Sequence, residues 1–170
     1  MNSLSIETPR LRMRPFAPGD VDELHRVFID PGVRRFLLDD QIVSREWVEQ
    51  EINAGIARFE AGSAGLFCVF SKEGGTLIGF CGFRPFFEPP ELQLLYGFLP
   101  AYWSRGFATE AARAMIEFGF GELGFDRITA SADDPNAASI QVLKKAGMVF
   151  DRRETINDLP TVFYSINRER

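Results

Sequence analysis

The residues whose types and spacing offer chemistry cluster in Tyr102-Trp103-Ser104-Arg105-Gly106-Phe107-Ala108-Thr109-Glu110. An apolar run from Leu92 to Leu99 precedes this stretch and stops at Pro100. Behind it, Ala108, Ala111, Ala112, Met115, Ile116, Gly119 and Phe120 recur at helical spacing. The pattern predicts a strand, a tight turn and a helix over Thr109 to Phe120. A helix's first turn carries unpaired backbone N–H groups, and the macrodipole adds partial positive charge, so such a junction suits an anion. Gly106 allows close approach of a phosphate and Arg105 supplies a fixed charge. The spacing fits a pyrophosphate cradle, and it also fits a turn in which Gly106 only makes the bend. No Gly-Lys-Ser/Thr follows, which argues against a nucleotide P-loop. Glu110 complements the helix dipole without itself helping an anion.

The elements around this stretch set its frame. At 170 residues the chain predicts one domain, 1–170, with room for a substantial core. Apolar residues at 45% and charged residues at 25% fit a soluble globular protein. The 17 Phe predict a Phe-rich core or an apolar groove. A net charge of −5 argues against a nucleic-acid partner. Cys68 and Cys81 lack metal-ligand spacing and read as small buried residues. His25 stands alone, which argues against metal sites and Ser-His chemistry. The N-terminus lacks a signal-sequence pattern, and no apolar run approaches the roughly 20 residues needed to span a bilayer. The expected compartment is a reducing cytoplasm without membrane attachment.

In chain order, Arg10 to Phe16 alternates as a half-buried strand, with Leu11 and Met13 inward and Arg10, Arg12 and Arg14 as a solvated face or ion-pair partners. Asp20 and Glu23 predict a capping box ahead of Leu24, Val27 and Phe28, ended by Asp30-Pro31-Gly32. Ser44 predicts the cap of a helix carrying Trp47, Val48, Ile52, Ile56 and Phe59. Leu66 to Ser71 and Thr76 to Arg84 form a predicted hairpin around Lys72-Glu73-Gly74-Gly75. Pro85 and Pro89-Pro90 break the chain before the next strand. Arg127 to Ala132 is a strand parallel to its predecessor. Asp134-Pro135-Asn136 starts a helix that reaches Lys145 and stops at Gly147. Phe150 to Arg153 and Thr161 to Ile166 complete an antiparallel pair.

The run Trp103-Ser104-Arg105-Gly106-Phe107-Ala108 resembles the acetyl-CoA loop of the GNAT superfamily of N-acetyltransferases, Q/R-x-x-G-x-G/A. Gly106 and Ala108 match its fourth and sixth positions, and Trp103 departs from the first. The longer run from Tyr102 to Ala111 is similar to the branch that includes the ribosomal-protein alanine N-acetyltransferases. Thr8 to Phe16 resembles that branch's opening strand. Asn136-Ala137-Ala138-Ser139 with Lys145-Ala146-Gly147-Met148 resembles its second cofactor helix. The resemblance implies a GNAT-like α/β (α+β) domain: a mixed, mainly antiparallel sheet flanked by helices, with two parallel strands splayed to admit pantetheine. It implies acetyl-CoA as cofactor, held by Phe98, Leu99, Ser104, Arg105, Gly106, Phe107, Ala108, Thr109, Asn136 and Ser139, in a monomer or homodimer. It also places the early helices beside the acceptor pocket, where Phe36, Trp47 and Phe59 are either lining or core.

Acetyl transfer to an amine requires a neutral amine, a polarised carbonyl, a proton for the leaving thiolate and in-line placement. The resemblance assigns polarisation to backbone N–H groups of Tyr96-Gly97-Phe98-Leu99. It puts a Glu where this chain has Gln93, which takes no proton. Glu91 shares that strand face and is the candidate base through water, or it only solvates the strand start. Asp133 and Asp134 are further candidates, turn formers or an attraction for a cation. A Tyr of the family corresponds to Leu143, and Ser139 matches a Ser that approaches the sulfur. Ser139 otherwise only bonds the cofactor or its own helix, and Asn136 doubles as an N-cap. The expected function is acetyl-CoA-dependent acetylation of a primary amine by direct attack, on a peptide α-amino group or a small amino compound. Gln93 and Leu143 leave open an acyl-CoA-binding sensor or interaction protein with a degenerate site. An acidic rim of Asp39, Asp40, Glu88, Glu91, Asp133 and Asp134 favours a cationic acceptor. Without a Glu at 93, an α-amino group titrating near about 7.7–8.0 suits the site better than Lys near about 10.4.

Overall fold

The computed structural model describes residues 4–169. Its strands are β1 (Ile6–Glu7), β2 (Leu11–Pro15), β3 (Leu66–Ser71), β4 (Leu77–Phe86), β5 (Glu91–Phe98), β6 (Arg127–Asp133), β7 (Val149–Ile156) and β8 (Leu159–Asn167). They form one sheet in the order β1-β2-β3-β4-β5-β6-β8-β7. Each neighbouring pair is antiparallel except β5 and β6. The helices are α1 (Val21–Ile29), α2 (Pro31–Arg34), α3 (Arg45–Glu60), α4 (Phe107–Gly121) and α5 (Ala137–Lys145). This is the mixed, mainly antiparallel α/β architecture with one parallel pair that the sequence predicts.

The sheet's two faces bury different cores. On one, Met13, Phe67, Ile78, Phe83 and Leu94 pack with Ala111, Ala112 and Met115 of α4 and Leu143 of α5. On the other, Phe80 and Cys68 pack with Leu24, Val27 and Phe28 of α1 and Val48 and Ile52 of α3. The phenylalanines supply much of both. Phe28 stacks on Phe80 with centroids 4.7 Å apart and meets Trp47 edge-on at 5.4 Å, while Phe67 meets Phe59 edge-on at 5.5 Å. Each arginine of β2 or its lead-in is an ion-pair partner: Arg10 with Glu110, Arg12 with Glu7, Arg14 with Asp20.

Several local expectations change. Asp20 does not cap α1. Its carboxylate accepts from Arg14 at 2.7 and 2.8 Å and from the Ala17 N–H at 2.8 Å, so the strand end has claimed it. Pro85 does not break the chain, because it lies inside β4 opposite Leu92. Its missing N–H points toward β3, whose pairing ends at Leu66–Gly82, so no ladder bond is lost. α4 starts at Phe107, two residues early, because Gly106 adopts φ 81 and takes the N-cap position. β7 and β8 extend to Ile156–Leu159 because Asn157 and Asp158, at φ 49 and 64, make a two-residue turn. Ser44 and Asn136 do cap their helices, accepting from the N–H of Trp47 at 3.0 Å and of Ser139 at 3.2 Å.

The far end of β5 is pressed onto β4 by two glycines. A Cβ on Gly79 would lie 2.2 Å from the Gly97 carbonyl oxygen, and one on Gly97 would lie 2.7 Å from the Phe80 ring. Gly79→Ala therefore forces backbone apart and should destabilise by about 3 kcal/mol, lowering Tm by roughly 6–12 °C for a chain of this size. A melt within about 2 °C of wild type would show that the strands yield freely.

Candidate active site

β5 and β6 share one register pair, Gln93 with Thr129. Beyond it they separate, which opens a gap between the C-terminal halves of two central strands. The Leu99 N–H donates to the Ile78 carbonyl at 2.9 Å. By the alternation of an antiparallel ladder, odd-numbered N–H groups of β5 point to β4 and those of Tyr96 and Phe98 point to β6. They project into the gap, where β6 offers no register partner. Of the four residues expected to polarise a carbonyl, Leu99 and Gly97 thus face β4, leaving Tyr96 and Phe98.

The turn after β5 forms the gap's rim. The Trp103 indole Nε1–H donates to the Phe98 carbonyl at 2.7 Å, and its ring packs against Gly32 of α2. This explains Trp at a position where the resembling loop has Gln or Arg. Ser104 takes φ 59 and Gly106 φ 81, a double left-handed bend that aims the chain into α4. The first helical bond runs from the Glu110 N–H to the Gly106 carbonyl, so the N–H groups of Phe107, Ala108 and Thr109 have no intrahelical partner. In front of Gly106 only Arg10 Nη2 lies within reach of a would-be Cβ, at 3.3 Å. Phe107 is buried, Ala108 and Thr109 are half-buried, and Ser104 and Arg105 are exposed with the Arg105 guanidinium over the Phe107 ring.

Two residues at the start of the chain's fold, Thr8 and Arg10, pin this rim, and local sequence reading does not connect them to it. Glu110 accepts from Thr8 Oγ1 at 2.6 Å, from the Arg10 N–H at 3.1 Å and from Arg10 Nε at 2.9 Å. Arg10 Nη1 donates to the Arg105 carbonyl at 2.8 Å, and its guanidinium lies 4.2 Å from the Phe107 centroid. Partial burial pushes the Glu110 carboxyl up, but these hydrogen bonds outweigh it and hold the group below its usual range.

Across the gap stands α5. The Tyr96 hydroxyl donates to the Ser139 carbonyl at 3.0 Å and lies 2.9 Å from Ser139 Oγ. Ser139 is thereby placed beside the parting strands, and Tyr96 joins it as a site residue that sequence reading used only for its backbone. The signal was available in strand alternation, since Leu94, Tyr96 and Phe98 share the face that α4 and α5 cover. Burial pushes the Tyr96 hydroxyl up, so it stays protonated. Leu143, at the position of the family's Tyr, is 1% exposed in the core.

The opposite face carries a short polar ladder. Thr129 Oγ1 donates to Glu91 Oε1 at 3.1 Å, and Ser131 Oγ donates to Gln93 Oε1 at 2.7 Å. Gln93 is 1% exposed and its Nε2 is buried without a partner. Beside the ladder, a cavity of about 240 Å³ opens between Phe28 of α1, Trp47 of α3, Leu38 and Leu95. Of the expected lining, Trp47 belongs to it, while Phe59 packs on Phe67 in the other core and Phe36 lies outside. The acidic rim is partly matched, Asp40 by Arg34 at 2.9 Å and Asp134 by Arg153 at 3.1 Å. Burial, then the nearby Asp39, pushes the Asp133 carboxyl up.

Other chemistries find little support. Cys68 and Cys81 are free and buried, and burial pushes both thiols up. His25 Nε2 lies 2.8 Å from the Val43 carbonyl in a structural contact. Among the described residues no three of His, Cys, Asp and Glu are grouped to hold a metal ion. No described helix is long and apolar enough to cross a membrane.

The family model for the acetyltransferase (GNAT) domain matches residues 10–149. The chain belongs to the GNAT acetyltransferase family. The uncharacterised N-acetyltransferase YnaD of Bacillus subtilis is 30% identical over 89% of this chain and 84% of its own. RimL, a ribosomal L7/L12 alpha-N-protein acetyltransferase solved with coenzyme A, superposes with a TM-score of 0.83 at 16% identity, covering 96% of this chain and 98% of its own. The ribosomal-protein-S5-alanine acetyltransferase of Vibrio fischeri superposes at 0.80 with 18% identity, covering 96% of each. These GNAT structures share the fold, and the family match with the named relatives makes the chain an N-acetyltransferase.

Glu110 ionised is what ties the N-terminal strand to the rim. Its folded-state pKa is depressed, so the stabilisation is full above the unfolded value near about 4.5 and fades as pH falls through the folded value. Glu110→Gln should lower Tm at neutral pH, with the deficit shrinking as pH falls below the unfolded value. A deficit independent of pH in thermal melts would assign the loss to packing alone.

Proposed function

We propose that this GNAT chain, acting as one domain, uses acetyl-CoA to acetylate primary amines directly, with peptide α-amino groups or small amino compounds as acceptors. One observation carries the reading: two inward N–H groups on a splayed strand lead straight to a helix whose first-turn N–H groups and Gly106 face outward together. The residues present fit the cofactor. The N–H groups of Phe107, Ala108 and Thr109 with Arg105 would hold a pyrophosphate, and the gap flanked by Phe98 and Ser139 would take the pantetheine arm. When bound, acetyl-CoA supplies an acetyl group activated as a thioester.

The chain's own residues then have separable tasks. The Tyr96 and Phe98 N–H groups donate hydrogen bonds into the gap, where developing negative charge on an oxygen is stabilised. Ser139 Oγ and the Tyr96 hydroxyl hold protons beside the same opening. Glu91, held by Thr129 on the acceptor face, accepts a proton through water from the incoming ammonium. Free, buried cysteines agree with work in a reducing cytoplasm.

The buried Gln93 amide and the core-bound Leu143 favour a second reading, an acyl-CoA-binding sensor with a degenerate site. Turnover with a panel of peptides and amines separates the two. Gly106→Glu should abolish acetyl-CoA binding while the protein stays folded. At about 100 times the dissociation constant, wild type should gain roughly 2.7 kcal/mol from acetyl-CoA. No melting shift and no calorimetric heat with wild type would end the cofactor reading.

Ser139→Ala should lower kcat by roughly 100-fold or more with a smaller change in cofactor affinity, and an unchanged kcat removes Ser139 from the chemistry. Glu91→Gln should flatten the acidic limb of the pH–rate profile, whereas an unaltered limb assigns deprotonation elsewhere.

A further inference from the structure

We infer that the 240 Å³ cavity on the acceptor face seats an apolar side chain of the acceptor, so that the preferred substrates are primary amines bearing a large apolar group. The inference rests on the proposed acetylation of amines and adds the acceptor's class. The cavity holds roughly eight water volumes at about 30 Å³ each. That suits a benzyl or isobutyl group, and it is smaller than the roughly 300 Å³ at which whole-ligand pockets begin. Phe28, Trp47, Phe86, Leu38, Leu66 and Leu95 give it apolar walls.

Its charges point the same way. Glu51 and Arg84 on the wall satisfy each other through two hydrogen bonds of 2.7 and 3.0 Å, so neither is free to receive a charged side chain. Asp39 contributes to the lining without an ion pair among the described residues, which favours an ammonium at that margin. Leu95 connects the cavity to the chemistry, since it directly precedes Tyr96, whose N–H projects into the gap. An amine whose neighbouring apolar group is seated here therefore lies toward the parting strands.

The lip supplies independent support. Leu38, Asp39 and Asp40 have φ of 58, 53 and 60 in succession, a conformation unfavourable for residues other than glycine. Strain of this kind concentrates at ligand clamps, and here it sets Leu38 and Asp39 in the cavity wall.

The test uses four peptides that differ only in a first residue of Ala, Ser, Leu or Phe, with phenethylamine against ethylamine as a pair lacking the peptide group. We expect kcat/KM for Leu and Phe to exceed that for Ala and Ser at least tenfold, within the range that added methylenes provide. Leu95→Trp should bring that ratio near one, and Trp47→Ala should favour Phe over Leu. Without acetyl-CoA, leucinamide should raise Tm more than alaninamide does. Equal or better use of Ala and Ser overturns the inference alone. So does an unchanged ratio in both variants with native melts. Preference for phenethylamine without any peptide acetylation upholds the cavity and removes the α-amino reading. No acetylated acceptor at all, with acetyl-CoA bound, removes both.

Discussion

Backbone N–H groups of a central strand need partners, and beyond Gln93 β5 has ladder partners on one side only. The rest of the architecture accommodates that shortage without closing it. β5 stays attached through β4, where Gly79 and Gly97 permit a closer approach than any side chain would. α5 spans the opening with the Tyr96–Ser139 contacts, which satisfy two hydroxyls and leave the strand amides pointing inward. An unpaired buried amide is unfavourable by a few kilocalories per mole at most, a cost that the proposed cofactor's carbonyl oxygen would offset.

The rim solves a second problem, which is to keep helix-end amides outward and still fixed. The left-handed Ser104 and Gly106 turn the chain sharply, and four hydrogen bonds reach across about a hundred residues to brace it. Arg10 acts twice, as an ion-pair partner and as a planar cation over Phe107. Glu110 is acidic in the first turn of a helix proposed to hold an anion, and its charge is matched by Arg10.

The two faces of β5 divide the remaining work. Even-numbered side chains meet α4 and α5, where Tyr96 and Ser139 lie, and Leu95 meets the cavity beneath α1 and α3. Gln93 sits where the strands part, almost wholly buried, with Ser131 on its oxygen. A carboxylate there would lose its hydration, whereas an amide stays neutral. Glu91, two residues nearer the strand start and half-buried, keeps access to water.

Periodicity and turn chemistry alone located nearly every strand and helix, because alternation and 3.6-residue spacing are local properties. The same holds for the Gly106 junction and for the Ser44 and Asn136 caps, each of which bonds within four residues. What local reading misassigned, or left without a named partner, was decided outside the element concerned. Asp20 left its cap for Arg14 on the strand, Pro85 entered a strand because no neighbour needed its N–H, and Arg10 proved to be a brace for a helix a hundred residues away. The composition of the cavity, the pairing of Tyr96 with Ser139 and the assignment of inward amides to Tyr96 and Phe98 depend on sheet register and on which helices cover which face. Those are set when separate apolar surfaces are buried together, and no window of sequence contains them.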